Sequence, residues 1–220
     1  MVDAREFQRT GAPATLTELL ALDGVREELI VAPGSRVGFM ALHGGHLEAA
    51  TDRIVLAAAA QAGASAYVVH HPEGLDRHLP SVRYRPDESA ALSEFVEHVD
   101  VVVSLHGYGR EGWWTTVLVG GADRALAHHL AAHLGPRLPG YDLVTDLEQI
   151  PTNLRGLSDA NPVNATCGGG VQLELPPRVR GISPLSPPAD ADGWSPPTRA
   201  LVDGLADFAH QLDHPDVARH

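Results

Sequence analysis

VGFMALHGGHLE, residues 37–48, is the stretch from which both the fold and a candidate site can be read. The apolar run at 37–42 is typical of a β-strand, and it ends at His43. Gly44 and Gly45 follow, and the carboxylate of Glu48 comes where an alanine-rich helix begins. A strand that ends in a histidine, followed by a tight turn and an acid, is typical of a metal-binding edge of an α/β sheet. Such a site needs a further ligand and a catalytic base from elsewhere in the chain.

Strands and helices are predicted to alternate on both sides of this stretch. The strand-like segments are 37–42, 65–70, 100–106, 115–119, 142–145 and 171–175. The helix-like segments are 15–22, 48–61, 87–99, 122–134 and 198–212. This alternation predicts an α/β fold in which helices cover both faces of one sheet. We interpret residues 1–220 as a single domain with its core at about 37–180, and residues 181–212 as a proline-rich excursion followed by a helix.

Composition excludes several classes of function. The 220 residues carry a net charge of −12, and all 16 basic residues are arginine, which argues against nucleic-acid binding. The single cysteine, Cys167, excludes an internal disulfide. Residues 1–10 lack the apolar segment of a secretory signal, and no apolar run reaches the roughly 20 residues of a membrane helix. We therefore expect a cytoplasmic protein without a membrane partner that acts on a small-molecule or peptide-like substrate, and its oligomeric state stays open.

His43 and His106 come at the carboxyl ends of two predicted strands. Because ligands gather at the carboxyl ends of the strands in open α/β sheets, these side chains and Glu48 can converge. Two histidines and one carboxylate form the ligand set of catalytic zinc sites, which keep a fourth position for water. Taken singly, each residue also has an ordinary explanation, as a turn histidine beside glycine or as an acid in the first turn of a helix.

Glu174 is the candidate for the catalytic base. It lies in the segment VQLEL, where Gln172 and Glu174 share one face and the apolar residues share the other. A carboxylate in an apolar strand is costly to bury without a partner, so it is either on an exposed edge or held at a site. At a site, it would act as general base on metal-activated water and then as acid toward the leaving amine.

Other candidates are weaker. His129 and His133 have helical i, i+4 spacing, but Leu130 stands where the zinc motif HExxH requires glutamate, so a solvated helix face is predicted. His70 and His71 end a strand and could reach the same edge of the sheet. Cys167 is interpreted as an incidental thiol, because no signature of a cysteine hydrolase surrounds it.

Four motifs in this order carry a resemblance to a known family. They are HGGHLE at 43–48, SLHG at 104–107, VGG at 119–121 and GVQLELP at 170–176. Together they resemble the phage-type poly-γ-glutamate hydrolases, over about residues 37–180. The resemblance implies a single-domain, zinc carboxypeptidase-like α/β fold with a mixed sheet flanked by helices. It implies Zn²⁺ as cofactor, with His43, Glu48 and His106 as ligands and Glu174 as the catalytic carboxylate.

The resemblance also implies an arginine that holds the carbonyl or carboxylate of the substrate. Arg155 and Arg180 are the chosen candidates, and Arg178 is a third. The predicted function is a zinc-dependent hydrolase of a peptide-like amide, with the γ-glutamyl linkage of poly-γ-glutamate as the implied bond. Two alternatives stay open: a zinc deacylase of small N-acyl amino acids, and a metal-binding relative without catalytic activity.

Overall fold

A seven-stranded mixed sheet forms the centre of the computed structural model, which describes residues 13–214. The prediction about a signal at residues 1–10 lies outside the described residues. The strands are β1 (Arg26–Ile30), β2 (Val37–Gly45), β3 (Ser65–His71), β4 (Val101–Gly107), β5 (Thr116–Gly120), β6 (Asp142–Val144) and β7 (Val171–Leu175). Their spatial order is β1-β3-β2-β4-β7-β5-β6.

The middle of the sheet is parallel. Strands β3, β2, β4 and β7 run in the same direction, so their carboxyl ends meet at one edge. Strand β1 pairs antiparallel with β3, and β5 pairs antiparallel with β7, which makes the sheet mixed. The predicted α/β fold with a mixed sheet is confirmed.

Five helices within residues 13–214 cover both faces, as predicted. They are α1 (Leu16–Leu20), α2 (Thr51–Ala62), α3 (Ala90–His98), α4 (Arg124–Leu134) and α5 (Pro196–Asp213). Helices α2, α4 and α5 pack on one face, against a core that includes Phe39 and Ala41. Helices α1 and α3 pack on the other, against a core that includes Met40 and Leu42. None of the helices within residues 13–214 is long and apolar enough to cross a bilayer.

The structure differs from the prediction at several elements. Helix α2 begins at Thr51, whereas the sequence predicts a start at Glu48, so Glu48 lies in the turn before the helix. Strand β1 was not predicted, because its sequence REELI is polar and partly exposed at the edge of the sheet, which gives no clear alternation. Helix α3 was predicted to begin with Asp87 as its cap, but Ser89 is the cap, since its side chain accepts a hydrogen bond from the backbone N–H of Leu92. Asp87 instead forms an exposed ion pair with Arg85.

Candidate metal centre

A bulge in strand β2 determines where His43 points. Strict alternation along the strand would place His43 on the face of Phe39 and Ala41, which is covered by α2 and α5. Between Ala41 and Gly44, however, the register of β2 against β3 shifts by one residue. The bulge turns His43 to the opposite face, where its ring lies 5.0 Å from that of His106.

Three potential ligand atoms converge at the carboxyl ends of β2 and β4. The Nδ1 atoms of His43 and His106 are 3.2 Å apart. The Oε1 atom of Glu48 lies 2.9 Å from His43 Nδ1, and its Oε2 atom lies 3.3 Å from His106 Nδ1. The structure thus brings the three predicted metal ligands together, and their ligand atoms all lie within 4.8 Å of one another.

The hydrogen-bond partners of His43 indicate which of its ring nitrogens faces the cluster. Its Nε2 atom lies 2.9 Å from the carbonyl oxygen of Leu79, which can only accept a hydrogen bond. Nε2 is therefore protonated, and Nδ1 is the ring atom that faces Glu48 Oε1 and His106 Nδ1. His106 Nε2 lies 3.2 Å from the hydroxyl of Ser104, which can donate or accept, and His106 Nδ1 faces the cluster. A ring N–H donated to a backbone carbonyl, with the other ring nitrogen facing the site, is the usual arrangement of a metal-ligating histidine, so the cluster fits a cation.

Glu48 lies in the turn between β2 and α2, where the backbone fixes its position. Its N–H donates to the carbonyl of His43, and its Oε2 accepts from the N–H of Gly107. Burial favours the protonated carboxyl, but the imidazoles of His43 and His106 outweigh it and hold the pKa of Glu48 well below its usual range. Glu48 is therefore ionised, as a metal ligand must be.

The turn requires glycine at Gly45. Its φ of +71° is in the left-handed region, and a Cβ atom there would lie 2.3 Å from the carbonyl oxygen of His71. Glycine at this position therefore allows strand β2 to lie close to strand β3.

Glu174 lies beside the cluster, at the carboxyl end of β7. It pairs in register with His106 of β4, and it lines a cavity together with His43, Glu48 and His106. Its side chain is buried, and burial together with the negative charge of Glu48 raises the pKa of Glu174 to about 8. A carboxyl that titrates near neutral pH beside a candidate metal site is suited to proton transfer.

The cavity has further lining residues that sequence reasoning did not select. His78, Tyr108, Asn161 and Gln172 all contribute to it. The ring of His78 lies 4.5 Å from that of His43, although the sequence indicates only a loop residue. In the sequence, Gln172 shares a strand face with Glu174, and this alternation is the signal that could have selected it.

The two predicted substrate arginines are placed differently. Among the described residues, neither Arg155 nor Arg180 lines the cavity. Arg155 donates from Nε to the carbonyl of Ile150, in the loop that borders the cavity. The buried guanidinium of Arg180 donates to three backbone carbonyls, those of Ala49, Tyr108 and Leu175. These contacts do not test substrate binding, which stays a prediction.

The remaining histidines of this edge have other partners. His70 bonds to Asp52 at 2.8 Å and to Glu28 at 3.2 Å, outside the metal cluster. His71 is buried against the carbonyl of Gly44, and burial lowers its pKa to about 4, so it is neutral at physiological pH. His46 is exposed.

Comparison with known proteins identifies the family. A family model described as poly-gamma-glutamate hydrolase matches residues 25–182, which is more than half of the chain. The chain belongs to the poly-γ-glutamate hydrolase family. Membership in this family makes the protein a hydrolase, and all of the candidate ligands and Glu174 lie within the matched range.

Two solved structures share the fold of this poly-γ-glutamate hydrolase family member over nearly its whole length. A bacteriophage poly-γ-glutamate hydrolase is 17% identical, with a TM-score of 0.69 and coverage of 94% of both chains. The zinc-free, apo form of YNDL is 22% identical, with a TM-score of 0.68 and coverage of 96% of both chains.

A metallo-carboxypeptidase from Burkholderia cenocepacia is more distant. It is 12% identical, with a TM-score of 0.45 and coverage of 92% of this chain and 68% of the other. No curated protein shows a significant sequence match to the chain.

Proposed function

We propose that this protein is a zinc-dependent hydrolase of a peptide-like amide bond, in which Glu174 is the general base. The observation that carries the proposal is the cluster of His43, Glu48 and His106 directly beside a buried carboxyl of raised pKa. Two histidines and a carboxylate match the ligand set of catalytic zinc sites. The zinc-free description of YNDL, which shares the fold, supports zinc as the ion.

The chain would supply the following chemistry. His43, Glu48 and His106 would hold the ion, and bound zinc polarises a carbonyl oxygen and lowers the pKa of water to roughly 7. Glu174 would accept the proton of the attacking water and pass it to the nitrogen of the leaving amine. Its raised pKa suits both steps, because a group that titrates near the working pH can take up a proton and release it again.

The proposed bond is the γ-glutamyl linkage of poly-γ-glutamate. The family description and the name of the bacteriophage relative support this substrate. A polymer of this kind carries a carboxylate on each residue. We propose Arg155 to bind it, because Arg155 lies between the lining residues Leu154 and Gly156 and its side chain holds one loop carbonyl. Arg180 is the second candidate, with its N–H groups already engaged by the backbone.

A specific feature of the cavity favours the alternative, a deacylase of small N-acyl amino acids. Apart from the histidines and the two glutamates, the polar side chains of the described lining are hydroxyls and amides: Ser81, Tyr108, Thr152, Asn153, Ser158, Asn161 and Gln172. Val82 and Leu157 add exposed apolar surface. Such a lining suits an uncharged acyl group better than a chain of carboxylates.

Metal analysis and one substitution test the proposed function. The purified protein should bind about one zinc ion, and chelation should abolish hydrolysis until zinc is restored. Glu174→Gln should retain the zinc and lose roughly 10²- to 10⁴-fold in kcat. Glu111→Gln, at an exposed glutamate, is the matched control and should behave like the wild type. Hydrolysis by Glu174→Gln at the wild-type rate would remove Glu174 from its role.

A panel of substrates separates the two candidate bonds. Poly-γ-glutamate and a series of N-acetylated amino acids would be assayed at equal zinc loading. Cleavage of the polymer alone supports the γ-glutamyl proposal, and cleavage of the acylated amino acids alone supports the deacylase. Zinc-loaded protein that cleaves neither would contradict both.

A further inference from the structure

Two buried amide side chains form a hydrogen-bonded chain that ends on Glu174. The Nδ2 atom of Asn161 donates to Oε1 of Gln172 at 2.9 Å. The Nε2 atom of Gln172 donates in turn to Oε1 of Glu174, also at 2.9 Å. Asn161, Gln172 and Glu174 are each only 4% exposed, and all three line the cavity. The chain therefore joins the loop that borders the cavity to the proposed base.

The backbone fixes the direction of this chain. At its far end, the N–H of Val163 donates to Oδ1 of Asn161 at 3.4 Å, and a backbone N–H can only donate. The oxygen of Asn161 must then face Val163, so its NH₂ group faces Gln172. The same reasoning turns the NH₂ group of Gln172 toward Glu174. The orientation of both amides thus follows from a group whose role as donor is certain.

Packing confines Gln172 to this position. Its Nε2 atom also lies 3.5 Å from the carbonyl of Leu154, a second acceptor on the same side. Gly156 packs against the amide, and a Cβ atom there would lie 2.6 Å from Gln172 Oε1. A buried amide held by partners on each side costs free energy to rotate, because rotation leaves donors and acceptors unpaired.

We propose that Gln172 and Asn161 are positioning residues for the reaction. Gln172 presents an N–H to Oε1 of Glu174 and holds the carboxyl at one orientation, and Asn161 prevents the Gln172 amide from turning its oxygen toward Glu174. This inference rests on the proposed function only for the role of Glu174 as base. The hydrogen-bonded chain itself does not depend on it.

The arrangement has a chemical consequence for Glu174. A donated N–H favours the ionised carboxylate, which is the form that a general base needs, and partly offsets the burial of the group. With Oε1 engaged by Gln172, Oε2 is the oxygen left to exchange the proton. A reversed amide would instead present a carbonyl to Glu174 and favour its protonated form.

Asn161→Asp tests the direction of the chain. Aspartate can still accept the N–H of Val163, but it cannot donate to Gln172, so the Gln172 amide should turn around. We expect kcat to fall at least about tenfold with KM changed less than about threefold and zinc content unchanged. Asn164→Asp is the matched control, because Asn164 lies in the same loop and its side chain also accepts backbone N–H groups, but that side chain has no hydrogen bond to Asn161, Gln172 or Glu174. It should lose stability and keep its kcat within about twofold.

Gln172→Met is the second variant, and it removes the donor while keeping a side chain of similar length. It should show the same fall in kcat at nearly constant KM, and it serves where Asn161→Asp does not fold. Values of kcat within twofold of the wild type for every folded variant would overturn the proposal. An equal fall in kcat for Asn164→Asp would also overturn it, since the effect would then be one of loop structure.

Side-chain amide NMR provides a readout that needs no turnover. In ¹⁵N-labelled protein, the NH₂ protons of Gln172 should exchange slowly with solvent, and Glu174→Gln should shift them more than those of Asn161. Rapid exchange of the Gln172 NH₂ protons, with no shift in response to Glu174→Gln, would contradict the proposed hydrogen bonds from Asn161 through Gln172 to Glu174. If the chain is confirmed by NMR and the wild type cleaves neither substrate class, the proposed function fails and the geometry stands, so the two failures are distinguishable.

Discussion

At the scale of single residues, Glu174 is held where its charge is costly. It is buried, it lies near the negative charge of Glu48, and these two effects raise its pKa from the usual 4.5 to about 8. The N–H of Gln172 opposes them only in part. A protein that tolerates such a group gives up stability at neutral pH, which is a common property of functional sites.

The pH dependence of stability should expose this cost. Because the pKa of Glu174 is higher in the folded than in the unfolded state, the folded protein binds the proton more tightly. Stability should therefore fall as pH rises from about 4.5 to about 8 and then level off. In zinc-free protein, the free energy of unfolding of the wild type, relative to Glu174→Gln, should fall by a few kcal/mol between pH 5 and pH 9.

Denaturant titrations of both proteins across this range, with a chelator present, would measure the difference. Zinc-loaded protein is the internal control, since a nearby positive charge lowers the pKa of Glu174 and should flatten the curve. Parallel pH profiles for the wild type and Glu174→Gln in the zinc-free state would contradict the prediction.

At the scale of elements, the side chain of Arg180 contacts three segments that hold residues of the candidate site. Arg180 donates to the carbonyl of Ala49 at 2.8 Å, of Leu175 at 3.1 Å and of Tyr108 at 3.5 Å. These carbonyls follow Glu48, Glu174 and His106 by one or two residues. Gly107 allows the approach, because a Cβ atom there would lie 2.6 Å from the guanidinium. The contacts indicate that Arg180 holds the turn after β2 and the ends of β4 and β7 together.

Arg180→Lys distinguishes this role from substrate binding. Lysine cannot reach three carbonyls in the fork geometry of arginine, so we expect a loss of about 1–3 kcal/mol in stability and weaker zinc retention. Thermal melts with and without zinc, together with KM, would be compared with those of Arg26→Lys, a control at an exposed arginine of the edge strand β1. A raised KM with unchanged melting temperature and zinc affinity would assign Arg180 to the substrate instead.

Some features of these elements could be predicted from the sequence, and others could not. Strands β2, β4 and β7 were predictable from their apolar runs, and so was the meeting of His43, His106 and Glu174 at their ends, because parallel strands share one carboxyl edge. The bulge in β2 was not predictable. Simple alternation along the strand would place His43 on the face that α2 and α5 cover. The hydrogen bond between Asn161 and Gln172 was likewise not predictable, because it joins a loop residue to a strand residue that is 11 positions away in the sequence.

At the scale of the whole molecule, the net negative charge of the protein should repel an anionic substrate. The protein carries a net charge of −12, and poly-γ-glutamate is itself a polyanion. Like charges slow the encounter of enzyme and substrate at low ionic strength, where the screening length is about 30 Å at 0.01 M salt. At 0.15 M the length is about 8 Å, so most of this repulsion is removed.

If poly-γ-glutamate is the substrate, kcat/KM should therefore rise with salt, by about two- to tenfold between 10 and 150 mM NaCl. A neutral N-acyl amide should show no such rise, and it serves as the control for any effect of salt on the enzyme itself. The measurement needs only initial rates at fixed zinc concentration. A fall in kcat/KM on the polymer with added salt would contradict net repulsion. It would indicate that local arginines attract the polymer to the cavity despite the overall charge, and Arg155 would be the first of them to substitute.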